Sequence, residues 1–110
     1  MSINEKQQID MIVVTDKNVE LFIIDYREWE KDEKTVNEHM FLLQEKVNAY
    51  IACYESGELF DIKPEAKGKD IIFRIISRYC VNDTGAWFLS EMVKTLEQIN
   101  IGLIFEWRVM

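Results

Sequence analysis

The apolar period of the chain switches between two and 3.6 along its length, and that alternation restricts the fold more than any other feature. Ile9 to Thr15 and Val19 to Tyr26 are β-branched, apolar runs separated by Asp16-Lys17-Asn18, the pattern of an antiparallel hairpin with a short turn. In the second run Val19, Leu21 and Ile23 share one face, and Glu20, Phe22, Ile24 and Tyr26 share the other. A strand apolar on both faces is expected to be central or covered on its second side. Arg27 to Asn37 is charged and has no apolar period. Thr35 followed by Glu38 has the spacing of a capping box, with Asn37 as a rival cap, so a helix is expected over roughly Glu38 to Ser56. Met40, Leu43, Val47, Tyr50 and Tyr54 form its stripe, widened by Leu42 and Ile51, and Gly57 is placed to end it in the left-handed conformation.

Glu58 to Lys69 holds Pro64, Gly68 and many charges and reads as a long loop. Ile71 to Cys80 alternates, with Ile71, Phe73, Ile75 and Tyr79 on one face and Ile72, Arg74, Ile76 and Arg78 on the other. Asn82, Asp83 or Thr84 can cap a second helix whose stripe is Phe88 or Leu89, then Met92, Val93, Leu96 and Ile99. After Gly102 a last strand points Leu103, Phe105, Trp107 and Val109 inward and Ile104, Glu106 and Arg108 outward. The order β-β-α-β-α-β implies an α+β two-layer sandwich, a mixed four-stranded sheet with two helices on one face. One domain over residues 1–110 suits the length. The strand order stays open.

Twenty acidic against 13 basic residues give a net charge of −7. That balance argues against nucleic acid or an anionic membrane as partner, since both require excess Lys and Arg. The start Met1-Ser2-Ile3-Asn4-Glu5-Lys6 has no basic segment followed by an apolar one, and no apolar stretch is long enough to span a bilayer. A cytoplasmic location is expected. Cys53 and Cys80 lie far apart in sequence and are expected to be buried free thiols.

No catalytic constellation emerges. The single histidine, His39, has Thr35 and Leu43 at helical spacing instead of a second metal ligand, and it is expected to be solvated or half-packed. Gly68-Lys69 lacks the earlier glycine and the following Ser or Thr of a phosphate loop, and Ser90 has no flanking glycines. The carboxylates are numerous but sit in no apolar context that would raise a pKa. No cofactor, no metal and no enzymatic activity are expected.

Charge is unevenly spread. Residues 28–61 hold 9 acids and 3 bases (9 − 3 = 6 net negative), whereas residues 62–110 hold 6 acids and 7 bases. The densest part is Glu28-Trp29-Glu30-Lys31-Asp32-Glu33. Acids are favoured near a helix N-terminus in any case, which makes a solvated connector the plain interpretation. The sharper one is a docking surface for a basic protein, in which Glu28, Glu30, Asp32 and Glu33 steer the partner and Trp29 or Tyr26 anchors it.

Leu42-Leu43-Gln44-Glu45-Lys46-Val47-Asn48-Ala49-Tyr50-Ile51, then Glu55-Ser56-Gly57-Glu58 and Pro64-Glu65-Ala66-Lys67-Gly68-Lys69, resemble a family of small bacterial proteins without an assigned chemistry. In general type, a small acidic domain without catalytic residues is also similar to the immunity proteins of contact-dependent growth inhibition and related polymorphic toxin systems. That likeness implies a cognate toxin domain as partner, a basic nuclease for preference, neutralised by occlusion of its active or substrate-binding surface. The alternative is a self-associating domain, a homodimer through an edge strand or through the outward sheet face carrying Ile72, Ile76 and Ile104.

Overall fold

The computed structural model describes residues 9–108. Strands β1 (Met11–Val14), β2 (Asn18–Asp25), β3 (Asp70–Ser77) and β4 (Ile101–Trp107) form one sheet in the order β1-β2-β3-β4. β1 pairs antiparallel with β2, while β2, β3 and β4 run parallel. The two crossovers are helices α1 (Glu33–Glu55) and α3 (Asp83–Glu97); a short helix α2 (Glu58–Ile62) and a 3₁₀ turn (Pro64–Ala66) lie between α1 and β3. The expected α+β sandwich with a mixed four-stranded sheet is therefore present.

The core lies between the sheet and the helix layer. Val19, Leu21 and Ile23 of β2 and Ile71, Phe73 and Ile75 of β3 meet Leu43, Val47 and Tyr50 of α1 and Leu89, Met92 and Leu96 of α3. The turn before β2 is fixed by Thr15, whose N–H donates to the Asn18 carbonyl at 2.8 Å and whose hydroxyl accepts from the Asn18 N–H at 3.0 Å.

Three local expectations are corrected. α1 starts at Glu33, five residues before the expected Glu38, because the Asp32 carboxylate is the N-cap. It accepts from the N–H of Thr35 at 3.0 Å and from its hydroxyl at 2.8 Å, so Thr35 is already engaged and caps nothing itself. Gly57 does take a left-handed φ of 85°, as expected, but α2 follows it at once. The segment read as a loop is thus largely helical, since Leu59 and Ala66 are pulled fully into the core. Trp107 was expected to point into the core; it is 57% exposed, at the last position of β4, where the helix layer gives way to loops. Val109 lies outside the described residues.

Among the described residues no helix covers the opposite sheet face, yet that face is not bare. Glu20, Arg74, Glu106 and Arg108 form a chain of ion pairs across β2, β3 and β4. The Arg74 guanidinium lies over the Phe22 ring, 5.9 Å from its centroid, and Phe22 and Ile76 are buried. Charged side chains with long apolar stems do here what a second layer does elsewhere.

Candidate functional site

Open sheets of parallel strands place their usable surface at the carboxyl ends of the strands, where the loops that lead into the crossover helices emerge. Here that end is built from residues 26–32 after β2, residues 78–82 after β3 and the last residues of β4. A shallow groove of about 360 Å³ runs between them, lined by Glu28, Trp29, Arg78, Tyr79, Asn82 and Trp107 together with Cys80 and Val81.

The loops are tied to one another. The Asn82 side chain caps α3 by accepting from the Gly85 N–H at 2.8 Å. Its amide donates to the Glu30 carbonyl at 3.0 Å, which joins the β2–α1 loop to the β3–α3 loop. Trp107 Nε1 donates to the Arg78 carbonyl at 3.1 Å and secures β4 to the same loop. The Ser77 hydroxyl, fully buried, donates to the Tyr79 carbonyl at 2.6 Å and shapes the turn after β3.

Beneath the loops lies a buried dyad that sequence reasoning missed. The Asp25 carboxylate, at the end of β2, meets His39 Nε2 at 2.6 Å and also accepts from the Arg27 N–H at 2.9 Å. His39 is 1% exposed, which corrects the expectation of a solvated or half-packed side chain. Its ring stacks on Trp29, centroids 3.9 Å apart. Trp29 lines the groove and His39 does not, so the indole separates the dyad from the surface. A second buried pair lies farther along α1, where Lys46 Nζ meets Asp10 Oδ1 at 3.0 Å. Asp10 Oδ2 accepts from the Ile24 N–H, and the Asp10 N–H donates to the Tyr50 hydroxyl, which in turn donates to the Phe22 carbonyl at 2.6 Å. Burial raises the Tyr50 pKa far above the ordinary phenol value and keeps it a donor.

Both dyads had a signal in the sequence. Asp25 continues the inward phase of Val19, Leu21 and Ile23, and His39 and Lys46 fall on the inward stripe with Val36, Leu43 and Tyr50. Assigning Met40 to that stripe in place of His39 hid the pattern.

The expected partner-binding residues fare differently. Tyr26 is 51% exposed, and Glu28, Glu30 and Glu33 are exposed. Asp32 is exposed too, but its carboxylate is committed to capping α1, and those hydrogen bonds from Thr35 hold its pKa below the usual carboxylate value. Trp29 is no surface anchor. It is 6% exposed, packed between His39 and Gly85, because the loop folds it inward to close the top of the core. The exposed aromatics at this end are instead Tyr26, Tyr79 (36%), Trp87 (61%, second turn of α3) and Trp107. Among the described residues, every exposed tryptophan or tyrosine sits at this one end of the sheet.

Cys80 is exposed at this end, contrary to the expectation of a buried thiol, and Cys53 is half-buried; neither is in a disulfide. Among the described residues no group of three His, Cys, Asp or Glu side chains could hold a metal ion, and no helix is long and apolar enough to cross a membrane.

Fold and surface together define a small α+β domain with a pre-built aromatic and acidic end. The chain belongs to the family of unknown function DUF6572, whose profile matches residues 1–109. No curated protein and no solved structure matches it.

Proposed function

We propose that this chain is a protein-binding inhibitor that covers a basic surface of its partner with the carboxyl end of its sheet. The partner proposed is a bacterial toxin domain, a nuclease for preference, which makes the chain an immunity protein. The observation that carries this reading is the gathering of Tyr26, Tyr79, Trp87 and Trp107 at one end, beside the exposed carboxylates of Glu28, Glu30 and Glu33. Exposed Trp and Tyr are what protein interfaces concentrate at their centres, and carboxylates around them attract cationic surfaces. A net charge of −7 extends that attraction to long range, and a nuclease is basic because it holds phosphates. The loops are hydrogen-bonded to one another, so little ordering is required on binding.

The test is co-expression with the C-terminal domain of whatever large protein is encoded immediately upstream. Toxicity relieved by this chain, with a complex that survives gel filtration, is the expected result. No toxicity, or toxicity without rescue and without a complex, overturns the proposal. In the complex, Trp87→Ala and Trp107→Ala should each weaken binding by about 2 kcal/mol, roughly thirty-fold in Kd, through faster dissociation. Reversing Glu28, Glu30 and Glu33 to Lys should slow association at low salt; an unchanged on-rate refutes steering.

A further inference from the structure

We infer that the free edge of β4 pairs with the β4 edge of a second copy of this chain, in antiparallel register about Ile104. Among the described residues β4 is the last strand of the sheet, hydrogen-bonded only to β3. Its backbone alternates in direction. The Arg108 N–H donates inward to the Ser77 carbonyl, so residues 102, 104 and 106 also face β3, and the backbone groups of Ile101, Leu103, Phe105 and Trp107 face outward. No described residue bonds to those outward groups.

Monomeric proteins blunt such an edge with Lys, Pro, a bulge or a covering loop. The strand Ile101-Gly102-Leu103-Ile104-Phe105-Glu106-Trp107 contains neither Lys nor Pro and pairs residue for residue with β3, with no bulge. The opposite edge differs, because β1 is a strand of only 4 residues.

The sequence of β4 is self-complementary about its centre. With Ile104 opposite Ile104 of the second copy, Leu103 opposes Phe105, Ile101 opposes Trp107, and Gly102 opposes Glu106. Only this register pairs all 7 residues of the strand within the strand. The helix-side pairs are then entirely apolar. On the other face the smallest residue stands across from the longest, and no like charges face each other. The outward-facing residues would form hydrogen-bonded pairs, about eight N–H to carbonyl bonds in all. Ile104 is 37% exposed in the single chain, and its burial at the dyad adds apolar area. This places self-association on the edge strand and not on the outward face, where the ion pairs of Arg74 already cover Phe22.

The experiment is sedimentation or light scattering of the full chain over a wide concentration range. The expected mass at high concentration is twice the 13.1 kDa of one chain. Ile104→Lys, at an exposed position, should raise the dimer dissociation constant at least about tenfold, with thermal unfolding measured at low concentration unchanged. Ile104→Cys in a Cys80→Ser background should oxidise to a covalent dimer, because directly opposed residues of a non-hydrogen-bonded pair lie about 4.5 Å apart, within disulfide reach. Gly102→Cys should not. A monomer at every concentration overturns the inference, as does a dimer broken by Val13→Lys on the outward face and untouched by Ile104→Lys. Trp107 belongs to both surfaces, but Tyr26 and Trp87 lie outside β4 and Ile104 lies away from the carboxyl end, so the Trp87→Ala and Ile104→Lys variants test the two readings separately.

Discussion

Replacing Gly85 by alanine sets two opposing effects against each other at the third residue of α3. Alanine is the better helix former by about 1 kcal/mol in a helix interior, and less in a first turn. Against that, an added Cβ would lie 2.9 Å from Cδ2 and Cε3 of Trp29 and 3.1 Å from Cζ3. These are atoms of a rigid bicyclic ring, not the end of a flexible chain, and the ring's other face is stacked on His39. Neither neighbour has room to give, so the substitution behaves as overpacking, at a cost of about 1–3 kcal/mol. The net expectation is destabilisation by about 1–2 kcal/mol, a five- to thirty-fold fall in the folded-to-unfolded ratio. A urea titration followed by circular dichroism should show a lower midpoint with an unchanged slope. The same substitution in a Trp29→Leu background should lose most of its cost. A midpoint equal to or above that of the parent, or strict additivity of the two changes, refutes the reasoning.

Lys46→Met should destabilise by about 3–5 kcal/mol, because it strands the buried Asp10 carboxylate. Adding Asp10→Asn should recover part of that loss, which chemical denaturation can read as a non-additive cycle. Asp32 has its folded pKa lowered by the hydrogen bonds from Thr35, so its contribution is present above the ordinary carboxylate pKa and disappears as pH falls through the lowered value. Carboxyl titration by NMR should show Asp32 titrating below the ordinary range and moving back toward it in Thr35→Val; no movement sinks the assignment. Burial first, and the Glu58 charge second, raise the Cys53 thiol pKa. A thiol reagent should therefore modify exposed Cys80 well before half-buried Cys53, and Glu58→Gln should accelerate Cys53 only modestly.

The sandwich was legible because alternation and helical spacing are local signals that burial enforces. Val19, Leu21 and Ile23 could face only one way once paired, and the Asn82 cap and the Gly57 stop are written in single residues. The start of α1 was legible in principle, but Asp32, Thr35 and Asn37 are all good caps, and only the fold shows which carbonyl and hydroxyl are free. The candidate surface was half legible. The acidic segment after β2 lies where the usable end of the sheet lies, yet Trp29, flanked by glutamates and exposed by every local criterion, turns inward. Its burial depends on Gly85, 56 positions later, and on a histidine that looked solvated. The aromatics that do face outward, Tyr26, Tyr79, Trp87 and Trp107, follow β2, follow β3, lie on α3 and end β4, and the parallel topology brings these segments to one end. Long-range assembly of that kind leaves no trace in spacing.

The two buried polar pairs of α1 bear on how the chain finds this arrangement. His39 and Lys46 stand two turns apart on one helix, and the acids that receive them stand at opposite ends of the hairpin sequence, Asp25 as the last residue of β2 and Asp10 just before β1. Hydrocarbon alone would let the helix slide or roll on the sheet at small cost, since one leucine replaces another. Two polar side chains that must each meet a carboxyl group remove that freedom, much as two pins allow a plug one position in its socket. A helix docked one turn too high would leave Asp10, Asp25, His39 and Lys46 without these partners, a penalty that takes up a large part of the stability of a domain of this size. Compact but misdocked states are thereby emptied, and the ground state is left with one helix register.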